Sequence, residues 1–334
     1  MRTIWLGLAA CAITASLISP VCAQQFTMKL SSPTINDVTL EWMKAFKSGV
    51  ESRSGGKIKV ELYPAGQLGP IPRTVEGVAL GTIEMTLPAT GFLATLEPRF
   101  VVFDAPGLFD SMQHAQRVFA DPEVVRRLAT FGATKGVEPL ITFVHGPLML
   151  LSHRPIRAVT DFKGQKIRVP GGAPLHFEPF RKLGASPVSI PLGEVMPAMQ
   201  NRTIDAFIAG LTVFTSFKYY DVAKGLTRLP GSHLVVGGLV NRSFLKSLGP
   251  DLEALVREEA RKAEGLFSTW GIEDVERGRK IWAQNGGENI ELAPAEAKRY
   301  LDETTSVLPG LLAASPQLKE DYEALVAAAR RHRQ

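Results

Sequence analysis

Two hydrophobic periods alternate along this chain. Between residues 57 and 63 the alternation is strict. Ile58, Val60 and Leu62 fall on one face and Lys57, Lys59 and Glu61 on the other, the two-residue period of a half-buried strand. Upstream, Leu40, Met43, Phe46 and Val50 recur at helical spacing and predict a helix over 38–50, stopped by Ser54-Gly55-Gly56. Residues 26–30 predict a first strand, and Ile83, Met85 and Leu87 another, with a helix over 74–80 between them ending at Gly81. The same grammar restarts after Gly146-Pro147. Strands are predicted over 148–151, 166–169, 187–190 and 204–208, with helices over 175–183 and 194–201. After Pro230-Gly231-Ser232, residues 234–240 predict a buried strand with a Gly237-Gly238 break. Strand then helix, repeated, predicts an α/β fold with a mainly parallel sheet. A charged helix is predicted over 250–285, with Leu252, Leu255, Val256, Ala260 and Phe267 on its apolar side. Unbroken, it would be roughly 50 Å long, enough to brace two lobes; Gly265, Gly271 and Gly278 mark where it would bend or split.

The N-terminus carries a different pattern. Arg2 precedes an apolar run over 4–18, and Val21-Cys22-Ala23 places small residues at −3 and −1 of a cut before Gln24. This predicts a secretion signal over residues 1–23, too short for a membrane span of roughly 20 residues with its flanks. Both cysteines, Cys11 and Cys22, lie inside it. The exported chain is then expected to hold no disulfide and to rely on an ordinary core. About 310 residues suffice for two lobes. The formal charge of +5 falls to +4 when Arg2 is removed (5 − 1). This excess is mild, and no basic stripe with interleaved aromatics predicts nucleic-acid binding.

Catalytic and cofactor motifs are missing. No glycine-rich phosphate or dinucleotide loop, no metal-ligand spacing of histidines or cysteines and no nucleophile elbow occurs. No catalysis, cofactor or metal is therefore expected. One residue stands out chemically. Arg168 lies in the apolar run Ile167, Val169, Pro170, just before Gly171-Gly172. An unpaired guanidinium is costly to bury. Arg168 is thus either the partner of an acidic side chain or held for an anionic ligand, and a guanidinium fork suits a carboxylate.

Four stretches together resemble the solute-binding proteins of tripartite ATP-independent periplasmic (TRAP) transporters. Residues 51–69 read ESRSGGKIKVELYPAGQLG, and 76–85 read EGVALGTIEM. Residues 152–156 read SHRPI and precede DFKGQKIRVP at 161–170. LGASPV at 183–188, PLGEV at 191–195 and IDA at 204–206 follow in the family's order. The resemblance implies a two-lobed periplasmic-binding fold with a ligand cleft between the lobes and a long helix behind both. It places residues 24–146 and 234–272 in a first lobe, and 147–233 with 273–334 in a second. It implies a periplasmic receptor that captures a small organic acid and hands it to the membrane permease subunits. A sensing subunit that presents ligand to a membrane receptor is the alternative. In that family an arginine at the position of Arg168 grips the ligand carboxylate.

The sequence also departs from its relatives. Sialic-acid-type members carry a second arginine where Leu148 stands, and a D-G-x-E-N run where this chain has Asp205-Ala206-Phe207-Ile208-Ala209. Polar positions have become apolar, which predicts a monocarboxylate ligand smaller or greasier than a sugar acid. Leu148 and Phe207 are candidate walls, with strand core the alternative for Phe207. Phe92, Phe109 and Phe214 lie in segments that reach the cleft, with core packing the alternative for each; Phe92 is taken as the ligand contact. Gln67 follows a Pro-Ala-Gly turn and is a candidate contact or a cap for the next helix. Glu194 is expected to be a structural partner at a helix N-terminus, and Asp205 to hold backbone at a strand end.

Overall fold

The computed structural model describes residues 25–313 and 315–333, so the expected secretion signal lies outside the described residues. Nine strands form one mixed sheet: β1 (Phe26–Ser31), β2 (Ile58–Tyr63), β3 (Met85–Thr86), β4 (Val137–Ser152), β5 (Lys166–Val169), β6 (Ser186–Ser189), β7 (Ala206–Gly210), β8 (Gly225–Asn241) and β9 (Glu288–Ile290). Their order is β2-β1-β3-β8-β4-β7-β5-β6, with β9 beside β8.

Each half of the sheet is a small parallel unit. In the first, β1 pairs in parallel with β2 and β3, and the helix Val38–Arg53 makes the crossover. That helix starts where it does because the Asp37 side chain accepts the Leu40 N–H at 3.1 Å, closing an otherwise open helix end. It buries Met43, Phe46 and Val50 as its spacing predicts, and adds Trp42 stacked on Phe46 at 4.9 Å. In the second half, β5 pairs in parallel with β6 and β7.

The two halves are joined by β4 and β8, which run antiparallel from Val137↔Asn241 to Ser152↔Gly225. One end of this ladder carries β3, and the other carries β7. The sequence predicts only short strands here, because Gly146-Pro147 and Pro230-Gly231-Ser232 look like breaks. They are bulges instead. Pairing jumps from Pro147↔His233 to Met149↔Arg228, so residues 229–232 loop out opposite Leu148. A proline that cannot donate to a ladder is tolerated at such an irregularity.

Two further expectations are corrected. The helix over 250–285 is three segments, Pro250–Lys262, Gly265–Ser268 and Trp270–Gln284. The breaks fall where Gly265 weakens the helix and where the hydroxyls of Ser268 and Thr269 both bond back to the Gly265 carbonyl, at 3.2 and 3.1 Å. The bent array still backs both halves. Trp42 Nε1 donates to Ala260 O at 3.3 Å and Phe267 stacks on Phe143 at 3.7 Å in the first, while Val275 and Trp282 enter the core of the second. The other correction concerns the chain end. Pro316–His332 was expected with the second lobe, but it packs on the first. Leu325, Ala328 and Ala329 join the core containing Phe100, Phe103 and Phe131, and Asp321 takes a two-pronged bond from Arg99 at 2.6 and 3.0 Å. Its amphipathic stripe required an apolar partner, and the first half supplied one.

Two carboxyls on the bent array set a pH dependence. Burial pushes Asp274 up to about 6, with the nearby His145 and Arg277 only partly opposing it, and burial pushes Glu264 up to about 7. Both are raised above their unfolded values, so their stabilising contribution is complete at low pH and is lost as pH rises through 6 to 7. His233, pushed down to about 4 by burial, works the other way and loses stability as pH falls through the same window. The test is therefore the variant: Asp274→Asn should shift the balance of melting temperatures between pH 5.5 and pH 7.5 toward the higher pH, and an unchanged difference in calorimetry would contradict the assignment.

Candidate functional site

The site forms where the two parallel units face each other across β4 and β8. In β5, Ile167 and Val169 point into the second half's core with Leu150 and Phe162. Strand alternation sends Arg168 to the opposite face, level with Val188 of β6 and Phe207 of β7. The strand is anchored by Asp205, whose Oδ2 accepts the Lys166 N–H at 2.7 Å, the backbone role expected for it.

Arg168 is 2% exposed. Its Nε donates to Ile190 O at 2.8 Å and Nη1 to Ile208 O at 3.4 Å. These bonds fix the plane of the guanidinium but bring no negative charge. Among the described residues no carboxylate forms an ion pair with it. Burial, unopposed by an anion, pushes its pKa down to about 10. The nearby Tyr219, pushed up to about 12 by burial, is neutral at pH 7. Arg168 therefore stays charged in a desolvated setting without a counterion.

The guanidinium borders a small cavity of about 50 Å³, the space of a few waters. The first half contributes Thr39, Ile71 and Phe92, the crossing strands His145 and Val236, and the second half Ile208 and Ala209 beside Arg168. A wider depression of about 480 Å³ shares Pro33, Ile71 and Leu192 with it and opens toward Glu194. It forms the mouth of the cleft. Apart from Arg168, the inner walls carry no lysine or arginine, and most are aliphatic or aromatic.

The polar exceptions are ordered. His145 Nε2 lies 2.9 Å from Asp37 Oδ2 and 3.4 Å from Thr212 Oγ1. Burial would raise the Asp37 carboxyl, but hydrogen bonds from His145, Thr34 and the Leu40 N–H, with the attraction of His145, hold it below the ordinary carboxylate range.

The lobes also touch directly. Gly171 follows Arg168 and Pro170 with φ of 74°. A Cβ there would stand 2.6 Å from the carbonyl oxygen of Gly91. Both the left-handed backbone and the close approach require glycine. His176 Nε2 and Asp104 Oδ2 meet nearby at 3.2 Å across the same junction.

Of the predicted contacts, Arg168 and Phe92 line the inner cavity. Phe207 does not. It is fully buried against Phe214 at 4.8 Å and Tyr219 at 4.6 Å, while the neighbouring Ile208 and Ala209 reach the cavity. Phe109 and Phe214 are core residues. Leu148 lines an adjoining cavity with Asp104, His176 and His233, which shares Ile208 and Leu234 with the inner one. Gln67 is exposed on the turn after Pro64 and borders neither the cavity nor its mouth. Thr39 and His145 were missed. No spacing marks either one, and the only signal for His145 was its place two residues before a proline bulge.

A cleft between two α/β units crossed by shared strands defines a two-lobed binding protein. The profile of bacterial extracellular solute-binding protein, family 7, matches residues 31–310, and the chain belongs to that family. It is 28% identical over 235 residues to the 2,3-diketo-L-gulonate-binding periplasmic protein YiaO of Escherichia coli K12, covering 70% of this chain and 71% of that one. Its fold matches a TRAP periplasmic solute-binding protein from Desulfovibrio salexigens with bound orotic acid, at a TM-score of 0.87, 22% identity and 92% and 99% coverage of the two chains. It also matches one from Shewanella oneidensis with bound succinate, at a TM-score of 0.84, 24% identity and coverage of 91% and 99%. The chain is thus a TRAP-type solute receptor, of a family whose members are periplasmic and deliver ligand to a permease.

The lobe junction is directly testable. Gly171→Ala should hold the lobes apart, raising the radius of gyration in small-angle scattering and weakening ligand binding by roughly tenfold or more, since added strain and lost contacts amount to about 1–3 kcal/mol. An unchanged scattering profile and affinity would show that the junction does not depend on this contact. Separately, Arg168→Met should stabilise the ligand-free protein by on the order of 1 kcal/mol, because it removes a buried charge with no partner. Marked destabilisation of the ligand-free variant in denaturant melts would mean that Arg168 is structural.

Proposed function

We propose that this chain is the receptor for a small organic monocarboxylate, held by Arg168 and carried to a TRAP permease. The supporting observation is the buried guanidinium with no carboxylate partner, bordering an apolar cavity between the lobes. An internal ion pair would supply an acid, and among the described residues none pairs with Arg168, which favours the ligand-clamp reading over the structural one. A ligand carboxylate would receive the guanidinium's remaining donors and discharge the desolvation cost.

The single cation argues for a single carboxylate. Beyond the few polar atoms of Thr34, Thr39 and His145, a second carboxylate or the hydroxyl array of a sugar acid would meet Ile71, Phe92 and Ile208. Each polar group left unpaired there costs about 1–3 kcal/mol. The relatives named above are described with acids of several kinds, so family membership alone does not choose among them. The chain is further proposed to be exported, with cleavage after Ala23, where the small-residue pattern falls.

Calorimetry on the purified protein tests the reading. Small aliphatic or aromatic monocarboxylates should bind at least about tenfold tighter than succinate or galacturonate, by the cost of one unpaired group. Arg168→Ala should lower affinity by roughly 30-fold or more, the effect of stripping one partner from a buried charge pair. Tight binding of a sugar acid with no response to simple monocarboxylates would overturn it.

A further inference from the structure

Arg168 leaves a second polar feature of the same cavity unexplained. Two of its lining residues bury polar atoms that have no partner: Thr39 Oγ1 and His145 Nδ1. Thr39 is 1% exposed and His145 2%. Buried polar atoms in folded proteins are paired in the large majority of cases, and each orphan calls for an explanation. Here two orphans border one cavity.

Their chemical types are specific. The Asp37 carboxylate is an acceptor, and it faces His145 Nε2 at 2.9 Å. Nε2 therefore carries a proton, and with no second proton on the ring the lone pair is on Nδ1, which then requires a donor. Thr39 Oγ1 can give a hydrogen bond and receive one. Nδ1 lies beside Gly210: a Cβ at that position would stand 2.8 Å from it.

We infer that Thr39 and His145 read a hydroxyl on the ligand, so that the cognate acid is a hydroxy monocarboxylate. The hydroxyl donates to His145 Nδ1 and accepts from Thr39. A keto oxygen cannot donate and would set its lone pairs against that of Nδ1. An unsubstituted chain leaves both atoms unpaired. An ammonium can donate, but it brings a second buried cation into the cavity that already holds Arg168. This inference rests on the reading of Arg168 as the carboxylate clamp and extends it from one functional group to two.

Calorimetry with matched sets of short branched acids provides the test, each set differing only in hydrogen, hydroxyl, oxo or ammonium at carbon 2 or carbon 3. The hydroxy member of one set should bind about tenfold or more tighter than its oxo, amino and unsubstituted counterparts, the combined effect of a bond made and an orphan relieved. Thr39→Val should reduce that ratio to roughly twofold and raise the melting temperature of the ligand-free protein, because an isosteric methyl replaces a buried unpaired hydroxyl. Gly210→Ala should reduce the ratio by covering Nδ1. The two variants keep the test independent of any His145 substitution, which would leave Asp37 buried without its partner. Equal affinity across every set, preference for an oxo or amino member, or a ratio unmoved by both variants would overturn the inference while leaving the clamp intact. Binding of no acid in any set, or binding unaffected by Arg168→Ala, would overturn the carboxylate reading and this inference together.

Discussion

Strands β4 and β8 are the constraint on which the rest of the molecule depends. Their antiparallel ladder passes through both halves of the sheet, with β3 attached near one end and β7 near the other. Neither parallel unit has a complete sheet without its share of these two strands. The cleft is the gap left between the units where the ladder passes from one to the other, and residues of both crossing strands, His145 and Val236, form its floor. The bulges at Val144/Gly146 and Pro147/Met149 lie at that passage. Local loss of pairing increases twist and allows a strand to bend, so the ladder is least regular where it passes from one half to the other.

The electrostatics of the cleft follow from that placement. An arginine on the inward face of β5, one strand in from the sheet edge, is cut off from bulk water, and the surrounding elements offer it carbonyls but, among the described residues, no acid. Elsewhere the protein pairs its buried charges with care: Asp321 with Arg99 and Arg127, Glu138 with Arg242 and Arg257. Among the described residues Arg168 is buried without such a partner, and it lies at the cavity. A polar group left unsatisfied costs stability in the empty protein and returns it as affinity when a ligand arrives. The same trade applies to Thr39 and His145 on a smaller scale.

Much of this was legible in the sequence, for identifiable reasons. Arg168 was conspicuous because a charge inside Ile167, Val169 and Pro170 breaks the local pattern. The helix Val38–Arg53 and strand β2 follow from periodicity alone. The long strands did not, because proline and glycine signal an interruption whether the chain turns away or only bulges, and the partner strand decides which. Phe207 was placed on the cleft because its position aligns with a polar motif in relatives. Its packing against Phe214 and Tyr219 draws it into the core instead. His145 and Thr39 were unreadable, since an orphaned atom exists only once every neighbour is in place. Pro316–His332 was assigned to the wrong half because an amphipathic stripe states that it needs a partner and not which one.

The route of the chain through the sheet has a consequence for biosynthesis. The first half opens with β1 at Phe26 but lacks β8 until Asn241 has been made, and its core is closed only by Leu325, Ala328 and Ala329. The second half likewise waits for β9 and for Tyr300. A nascent chain emerging from its N-terminus therefore finds no lobe that can finish early, unlike proteins whose domains are contiguous and fold one after another during synthesis. Commitment to the native state is deferred until residues 325–329 have been made. For a receptor of a periplasmic family, that delay coincides with the interval in which an exported chain must remain pliable enough to be threaded across a membrane.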